Sequence, residues 1–402
     1  MCVLGAGAAG LWAAAACARG GLRVVVIEKT DRIGTKILAS GGTRCNLTTT
    51  LGPRDAARLF GPGERFILPS LRELPPTAVR RHFHELGVPT KEEPELEKVF
   101  PASDSAVDVR DALERDARDW GVDFLMEHRV TSLHPGSDAW RIKSSGGDVS
   151  ANSVIVCVGG KSYPKSGTTG DGYKWLTDLG LTVVEPVPAL VPLRSPESWV
   201  HGLSGLTVDG EVRVGTVRRR RPALFTHKGL SGPGPMDVSE QVARTSGPAE
   251  VQIDLLPDTT WEEVRATLIA ASSARHPPRL AALFPSLPKR LLAQVTARVG
   301  IDHANPAANE IAKADRNRLV DALKGLTIVA DGTLGYAKAE VTAGGLSLDQ
   351  VDRKTMQVGR HPGLFVAGEM LDLQGPIGGL NFQAAFATAA MAAAAAIRRG
   401  PG

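Results

Sequence analysis

Cysteine is scarce in this chain: Cys2, Cys17, Cys45 and Cys157 are the four among 402 residues, and none shows CxxC spacing. That excludes a zinc ribbon or a disulfide framework and points to a reducing, cytoplasmic setting. The N-terminus has no basic segment leading into an apolar core with a cleavage site, which argues against a signal peptide. No apolar run reaches the roughly 20 residues that span a bilayer; the longest weakly polar stretch, 384–397, is mostly alanine and reads as a buried C-terminal helix. The net charge of +4, with a pI near 8.9, permits anionic ligands or nucleic-acid contact without demanding either. No metal site is expected.

What is present is ordinary globular material, 43% hydrophobic and 22% charged, with glycine high at 44 residues. At this length the chain suits two or three domains. Residues 3–28 carry the strongest signal. Gly5, Gly7 and Gly10 fit a turn from a first strand into a helix, followed by the small, apolar run 11–18, Gly20-Gly21, and a second strand ending at Glu28. In such a unit the first glycine permits the turn, the second admits a pyrophosphate, and the third lets helix and strand pack. The N–H groups of Ala8, Ala9 and Gly10 would face the phosphates at the positive end of the helix dipole. Glu28 lies 18 residues beyond Gly10, placed to accept from ribose hydroxyls and to repel a 2′-phosphate, so the site suits FAD or NAD better than NADP. Only four residues precede Gly5, so the first strand is expected to be short, as if the chain began at an internal start.

Beyond Glu28-Lys29 comes Gly34-Thr35-Lys36, then Ser40-Gly41-Gly42-Thr43-Arg44-Cys45-Asn46-Leu47-Thr48. A loop this rich in glycine suits a cofactor lining and a surface loop equally well. The combined pattern resembles the bacterial FAD-binding flavoproteins known as aminoacetone-oxidase-like or bile-acid-dehydroreductase-like proteins. Thr43 stands where that family usually has a third glycine. The resemblance implies FAD contacts from Lys29, Lys36, Gly42, Arg44, Cys45 and Asn46, and an adenine gripped by main chain near Val130. Cys45 would be redox-active if it lay against the flavin, whereas a lone cysteine in a glycine loop usually packs.

Residues 51–90 read as proline-punctuated helices in which His82 and His84 are surface decoration. A helix with Ser103 or Ser105 as N-cap runs to Trp120. Segments 122–126, 130–133, 140–142 and 153–158 then read as successive short strands, the last ending in Gly159-Gly160 so that the chain can pass close under a dinucleotide. Tyr163, in the loop that follows, suits either packing or a substrate cavity.

Between 188 and 324 the pattern changes. Residues 188–256 suit an inserted antiparallel β-barrel and 257–324 an inserted helical subdomain. Arg218–Arg221 read as a nucleic-acid or acidic-substrate contact or as a solvated hairpin end; the lack of stacking aromatics nearby favours the last. The resemblance places the 225–233 loop toward the flavin, which makes His227 either a catalytic acid/base or a structural loop histidine.

Dinucleotide signals return after 325. A strand at 363–367 ends in Gly368-Glu369, whose carboxylate would accept from a ribityl hydroxyl. Gly375-Pro376-Ile377-Gly378-Gly379-Leu380-Asn381-Phe382 opens the last helix, whose N–H groups would stabilise charge on a reduced isoalloxazine. Leu380 replaces the family's usual aromatic.

The expected architecture is therefore α/β: a Rossmann-like FAD-binding domain from 1–187 and 325–402, of the two-dinucleotide-binding-domain flavoprotein type. The resemblance implies NAD(P)H-linked reduction of an activated C=C bond in a small organic substrate, or oxidation of a small amine with O2. Because no second GxGxxG is evident, NAD(P)H would bind transiently. An RNA-modifying or RNA-binding flavoprotein, and an FAD with a purely structural role, are the further alternatives. Oligomeric state is not legible.

Overall fold

The computed structural model describes residues 1–94 and 97–400. It separates into two compact units, Met1–Pro188 with Ala339–Gly402, and Ala189–Lys338.

In the first unit β1 (Cys2–Leu4), β2 (Val25–Ile27), β3 (Asp123–Leu125), β4 (Val154–Val156) and β5 (Leu364–Val366) form one parallel sheet in the order β5-β4-β1-β2-β3. Cys2 lies beside both Val154 and Val25, Val154 beside Leu364, and Val25 beside Asp123. β1, β4 and β5 are buried throughout, which explains their unbroken apolar sequences: both faces of this parallel sheet are covered there, at its edge strand β5 as well as at β1 and β4. The two ends of the chain thus meet in one sheet. They also meet in the helical layer, where α1 (Ala8–Arg19) packs on α2 (Leu380–Arg399). A Cβ at Gly20, just past α1, would fall 2.4 Å from Ile397 Cδ1, while Trp12 and Phe386 bring their rings to 4.9 Å. α2 contains the alanine-rich 384–397 run. By length and composition it could cross a membrane, yet 61% of its most apolar window is buried inside this unit.

Of the four successive strand-like segments, 122–126 and 153–158 contribute to the central parallel sheet. Val130–His134, Trp140–Ser144 and Val149–Ala151 form a separate antiparallel sheet. The difference lies in side-chain pattern. Val154-Ile155-Val156 is apolar on both faces, whereas Val130–His134 turns one side to solvent.

His82 departs from the expected surface position. On the helix Pro76–Glu85 it points inward, edge-on to Trp12 at 4.6 Å and 3.4 Å from Asp116, which also accepts two hydrogen bonds from Arg19. His84, two residues on, faces outward and accepts from the Thr90 N–H at 3.0 Å. Burial pushes the Asp116 carboxyl up, but the His82 hydrogen bond and the Arg19 charge outweigh it, leaving the carboxyl below its ordinary range. A lowered folded value means the stabilisation is complete above the unfolded carboxylate value near pH 4 and is lost as pH falls through the folded value. Asp116→Asn is therefore expected to cost about 1–3 kcal/mol at neutral pH and to flatten the acid limb of stability, read by urea unfolding between pH 3 and 7.

In the second unit, Thr207–Val208, Ala223–Thr226, Gly229–Ser231, Leu193–Arg194 and Gly332–Thr333 make one antiparallel sheet. Val217–Arg220, Glu211–Val214, Ala249–Asp254 and Leu326–Ala330 make another. The helices Trp261–Ser272, Lys289–Arg298 and Lys313–Lys324 share their core, with Leu268, Leu291 and Leu319 packed in the same cluster as Val251, Ile253 and Ile328. The separate barrel and helical subdomains expected from sequence are thus one unit. Its boundary falls at Ala339, not 325, because Leu326–Ala330 completes the second sheet beside Ala249–Asp254. Nineteen Lys and Arg against fifteen Asp and Glu lie between 189 and 338, so the chain's whole charge of +4 belongs to this unit.

Candidate dinucleotide site

The turn after β1 shows how differently its three glycines are used. A Cβ at Gly10 would fall 1.9 Å from the Gly5 carbonyl oxygen, so the third glycine is what lets α1 close onto the turn. Gly5 has φ +93°, donates its N–H to the Ile27 carbonyl at 2.8 Å, and would bring a Cβ to 2.8 Å from the Cys157 oxygen. Gly7 is ordinary in conformation, at φ −85°, and its Cβ would meet nothing within 4 Å. That open ground lies directly before the uncapped N–H groups of Ala8, Ala9 and Gly10, so a pyrophosphate fits both the space and the charge.

At the end of β2, Glu28 Oε2 accepts from the Ala6 N–H, and Oε1 from the Thr30 N–H and hydroxyl, each at 2.9 Å. The Thr30 hydroxyl lies equally close to the Arg32 carbonyl, so it can turn there and leave Oε1 to accept from a ribose. Glu28's carbonyl accepts from the His128 N–H at 2.9 Å, which brings the segment entering Val130 alongside. Val130 itself is buried and opens the antiparallel sheet. Lys29 is already engaged: its ammonium donates to Thr169 at 2.5 Å and to Asp171 at 2.8 Å.

The glycine loop is shaped from within. Gly41, Gly42, Thr43 and Cys45 all have positive φ, at 54°, 67°, 72° and 59°. A Cβ at Gly42 would meet open space. Thr43, in the place of the family's third glycine, thus adopts the conformation that glycine would take. Arg44 turns to Glu93 and Asp104 and stacks on Phe100, its guanidinium carbon 4.0 Å from the ring centroid, so its side chain braces the loop. Cys45 is fully buried, and burial pushes its thiol up to about 12 despite a hydrogen bond to Ser40. A thiol so buried and so protonated at neutral pH suits packing and not redox chemistry. Asn46, with its amide oriented to satisfy its neighbours, donates to the Thr48 and Val99 carbonyls and accepts from the Gly379 N–H at 2.8 Å.

The C-terminal segments close on the same place. Gly368, at φ +69°, would bring a Cβ to 3.0 Å from the Ala9 Cβ on α1. Glu369 accepts from the Thr342 N–H at 2.8 Å and pairs with Lys36. Thr342 Oγ1 accepts from the Lys161 and Ser162 N–H groups at 2.8 and 3.1 Å. A Cβ at Gly160 would fall 2.3 Å from that same hydroxyl oxygen, so Gly160 makes room for Thr342. Gly159, at φ +73°, sits against Thr168. Gly378 and Gly379 have φ of +140° and +80°, and Asn381 holds their loop by bonding both the N–H and the carbonyl of Gly375. Phe382 packs toward Phe386, with centroids 5.9 Å apart.

Sequence reasoning missed the buried polar residues that pin these pieces. Gln383 accepts from the Thr48 hydroxyl at 2.6 Å and donates to the Leu74 carbonyl at 2.7 Å. Thr388 accepts from the Gly368 N–H at 3.0 Å. The available signal was a lone glutamine and threonine on the buried side of an alanine-rich helix. His227 occupies the exposed turn between Ala223–Thr226 and Gly229–Ser231 in the second unit. Among the described residues no cluster of His, Cys, Asp and Glu could hold a metal.

A parallel sheet with a glycine turn, a carboxylate at the second strand and a second glycine-lined approach from the far end of the chain defines a flavoprotein. It is an FAD-dependent oxidoreductase built on a Rossmann domain. The chain matches the family described as HI0933-like protein Rossmann domain over residues 1–395, and it belongs to that family. It is 30% identical to the ribosomal RNA dihydrouridine synthase of Escherichia coli over 395 residues, covering 96% of this chain and 95% of that one. It is also 30% identical to the 3-dehydro-bile acid delta(4,6)-reductase of Clostridium scindens over 411 residues, covering 99% and 98%. Among solved structures, the open form of a flavocytochrome c3 fumarate reductase aligns with a TM-score of 0.52 at 15% identity, over 99% of this chain and 78% of that one. The 3-ketosteroid-delta4-(5alpha)-dehydrogenase of Rhodococcus jostii RHA1 aligns at 0.50 and 16%, over 98% and 96%. Both show the fold.

Proposed function

We propose that the protein uses NAD(P)H to reduce a C=C bond conjugated to a carbonyl group. The observation that carries this reading is that two relatives, each matched over nearly its full length, have names describing the same change on unrelated molecules: hydrogen added across a ring double bond of a bile acid and of a uridine. When bound, FAD would supply the two-electron chemistry needed for hydride transfer between a nicotinamide and the carbon β to the carbonyl. The chain's own residues would hold that cofactor. Ala8, Ala9 and Gly10 would hold the pyrophosphate and Glu28 the ribose, and the N-terminus of α2 would stabilise negative charge on the reduced ring. Glu369, fixed by Thr342 and Lys36, would accept from a ribityl hydroxyl. The buried thiols suit the reducing, cytoplasmic setting read from the sequence.

A second reading concerns the substrate alone. The second unit carries the chain's whole net charge of +4, which favours a uracil within structured ribosomal RNA over a free small molecule. Anaerobic mixing with NADH or NADPH should bleach the flavin band near 450 nm, and a conjugated enone or unmodified ribosomal RNA should restore it. Bleaching by a small amine in place of nicotinamide would overturn the reductase assignment in favour of an amine oxidase. Restoration by the enone and not by RNA would dismiss the second reading.

A further inference from the structure

Three segments converge on the end of β2. Residues 28–30 carry Glu28, residues 127–130 run beside them through the Glu127 N–H to Thr30 carbonyl and His128 N–H to Glu28 carbonyl bonds, and the loop 166–171 is seated on top. The seat is close: a Cβ at Gly167 would fall 2.6 Å from Thr30 Cγ2 and 3.6 Å from Lys29 Cε. Asp171 ties the three together. Its Oδ2 accepts from Lys29 Nζ at 2.8 Å and Arg129 Nη1 at 3.0 Å, and its Oδ1 accepts from the Thr169 hydroxyl at 2.8 Å, which in turn accepts from Lys29. The Lys29 and Asp171 side chains are only 18% and 24% exposed, so this pair is less screened than the outer one to Arg129, which is 57% exposed.

The charges decide what this arrangement does. Glu28 and Asp171 offset Lys29 and Arg129. A lysine directly after the ribose-reading carboxylate is the kind of cation that accommodates a 2′-phosphate in NADP sites. Here it is already spoken for.

We propose that Asp171 is a specificity-determining residue for the adenosine end of the cofactor: by holding the Lys29 ammonium to itself and to Thr169, it keeps that cation from serving as a 2′-phosphate receptor beside Glu28. The site then accepts an unphosphorylated ribose and rejects a phosphorylated one through two carboxylates acting together. Glu28 repels directly, and Asp171 acts by occupying the cation that would compensate.

The test uses apoprotein prepared by removing FAD and then titrated with FAD in the presence of 5′-ADP or 2′,5′-ADP as competitors, followed by flavin fluorescence. Wild type should prefer 5′-ADP at least tenfold; equal binding would overturn the proposal even if no variant folds. Asp171→Asn should bind 2′,5′-ADP about tenfold more tightly than wild type does, with the gain suppressed by salt. The double variant Asp171→Asn with Lys29→Met should lose the gain, while Asp171→Glu should restore the wild-type preference. No gain in a folded Asp171→Asn, or a gain that survives Lys29→Met, would assign Asp171 to loop structure alone.

Discussion

Gly10→Ala should purify without colour and unfold early, whereas Gly7→Ala should fold normally and bind FAD weakly. The two substitutions add the same methyl to the same turn, and the surroundings separate them. At position 10 the methyl would lie 1.9 Å from the Gly5 carbonyl oxygen, a backbone atom that can yield only if α1 withdraws from the sheet. Such overpacking costs about 3 kcal/mol or more. At position 7 the backbone already has angles that alanine adopts, and the methyl meets no protein atom. It would occupy only the ground left for the pyrophosphate. The expected outcome is an apoprotein as stable as wild type, with FAD affinity lowered about tenfold to a hundredfold, roughly 1.4–2.7 kcal/mol. Thermal unfolding of the apoproteins and FAD titration by fluorescence quenching separate the cases. Tight FAD binding by Gly7→Ala would mean that the cofactor does not approach that turn.

How much of this was legible beforehand follows from the range of the interactions involved. The glycine turn, the apolar strands and Glu28 were readable because each element's role is fixed within about thirty residues of chain, by periodicity and turn chemistry. Convergence of the two termini was readable because β5 and its Gly368-Glu369 end repeat that local logic. What the sequence concealed depends on partners distant in the chain. Arg44 faces Glu93 and Asp104, and Lys29 faces Thr169 and Asp171, so side chains that suggested cofactor donors are engaged with carboxylates. Gly160 suggested a cofactor passing overhead, yet what fills its missing side chain is the Thr342 hydroxyl, 182 positions later. His82 suggested surface because two histidines two positions apart share no helix face, and the partners that draw one of them inward, Trp12 and Asp116, come from other elements. The unit boundary was misplaced for a related reason: a short apolar strand such as Leu326–Ala330 fits a parallel or an antiparallel sheet equally well until its neighbour is known.

The largest loss is expected from Gly379→Ala, because there the backbone and the packing object together. With φ at +80° an alanine pays about 1–2 kcal/mol for the left-handed conformation alone. Its Cβ would also lie 2.1 Å from the Thr48 carbonyl oxygen and 2.8 Å from the Asn46 side-chain amide, raising the total to about 3–5 kcal/mol. The clash, with the Thr48 carbonyl and the Asn46 side-chain amide, cannot be relieved by sliding α2, since Gln383 and Thr388 anchor that helix to Thr48 and to Gly368. Asn46→Ala removes only the acceptor for the Gly379 N–H and two donors, so it should cost about 1–3 kcal/mol. Because the two residues share one bond, the double variant should be less destabilised than the sum of the singles, by about the energy of that bond. Urea unfolding of the four proteins closes the cycle, and the same samples report flavin content from their absorbance. If Gly379→Ala kept wild-type stability and a full complement of FAD, the start of α2 would not be fixed against the glycine loop, and the placement of its N-terminus at the reduced ring would fall with it.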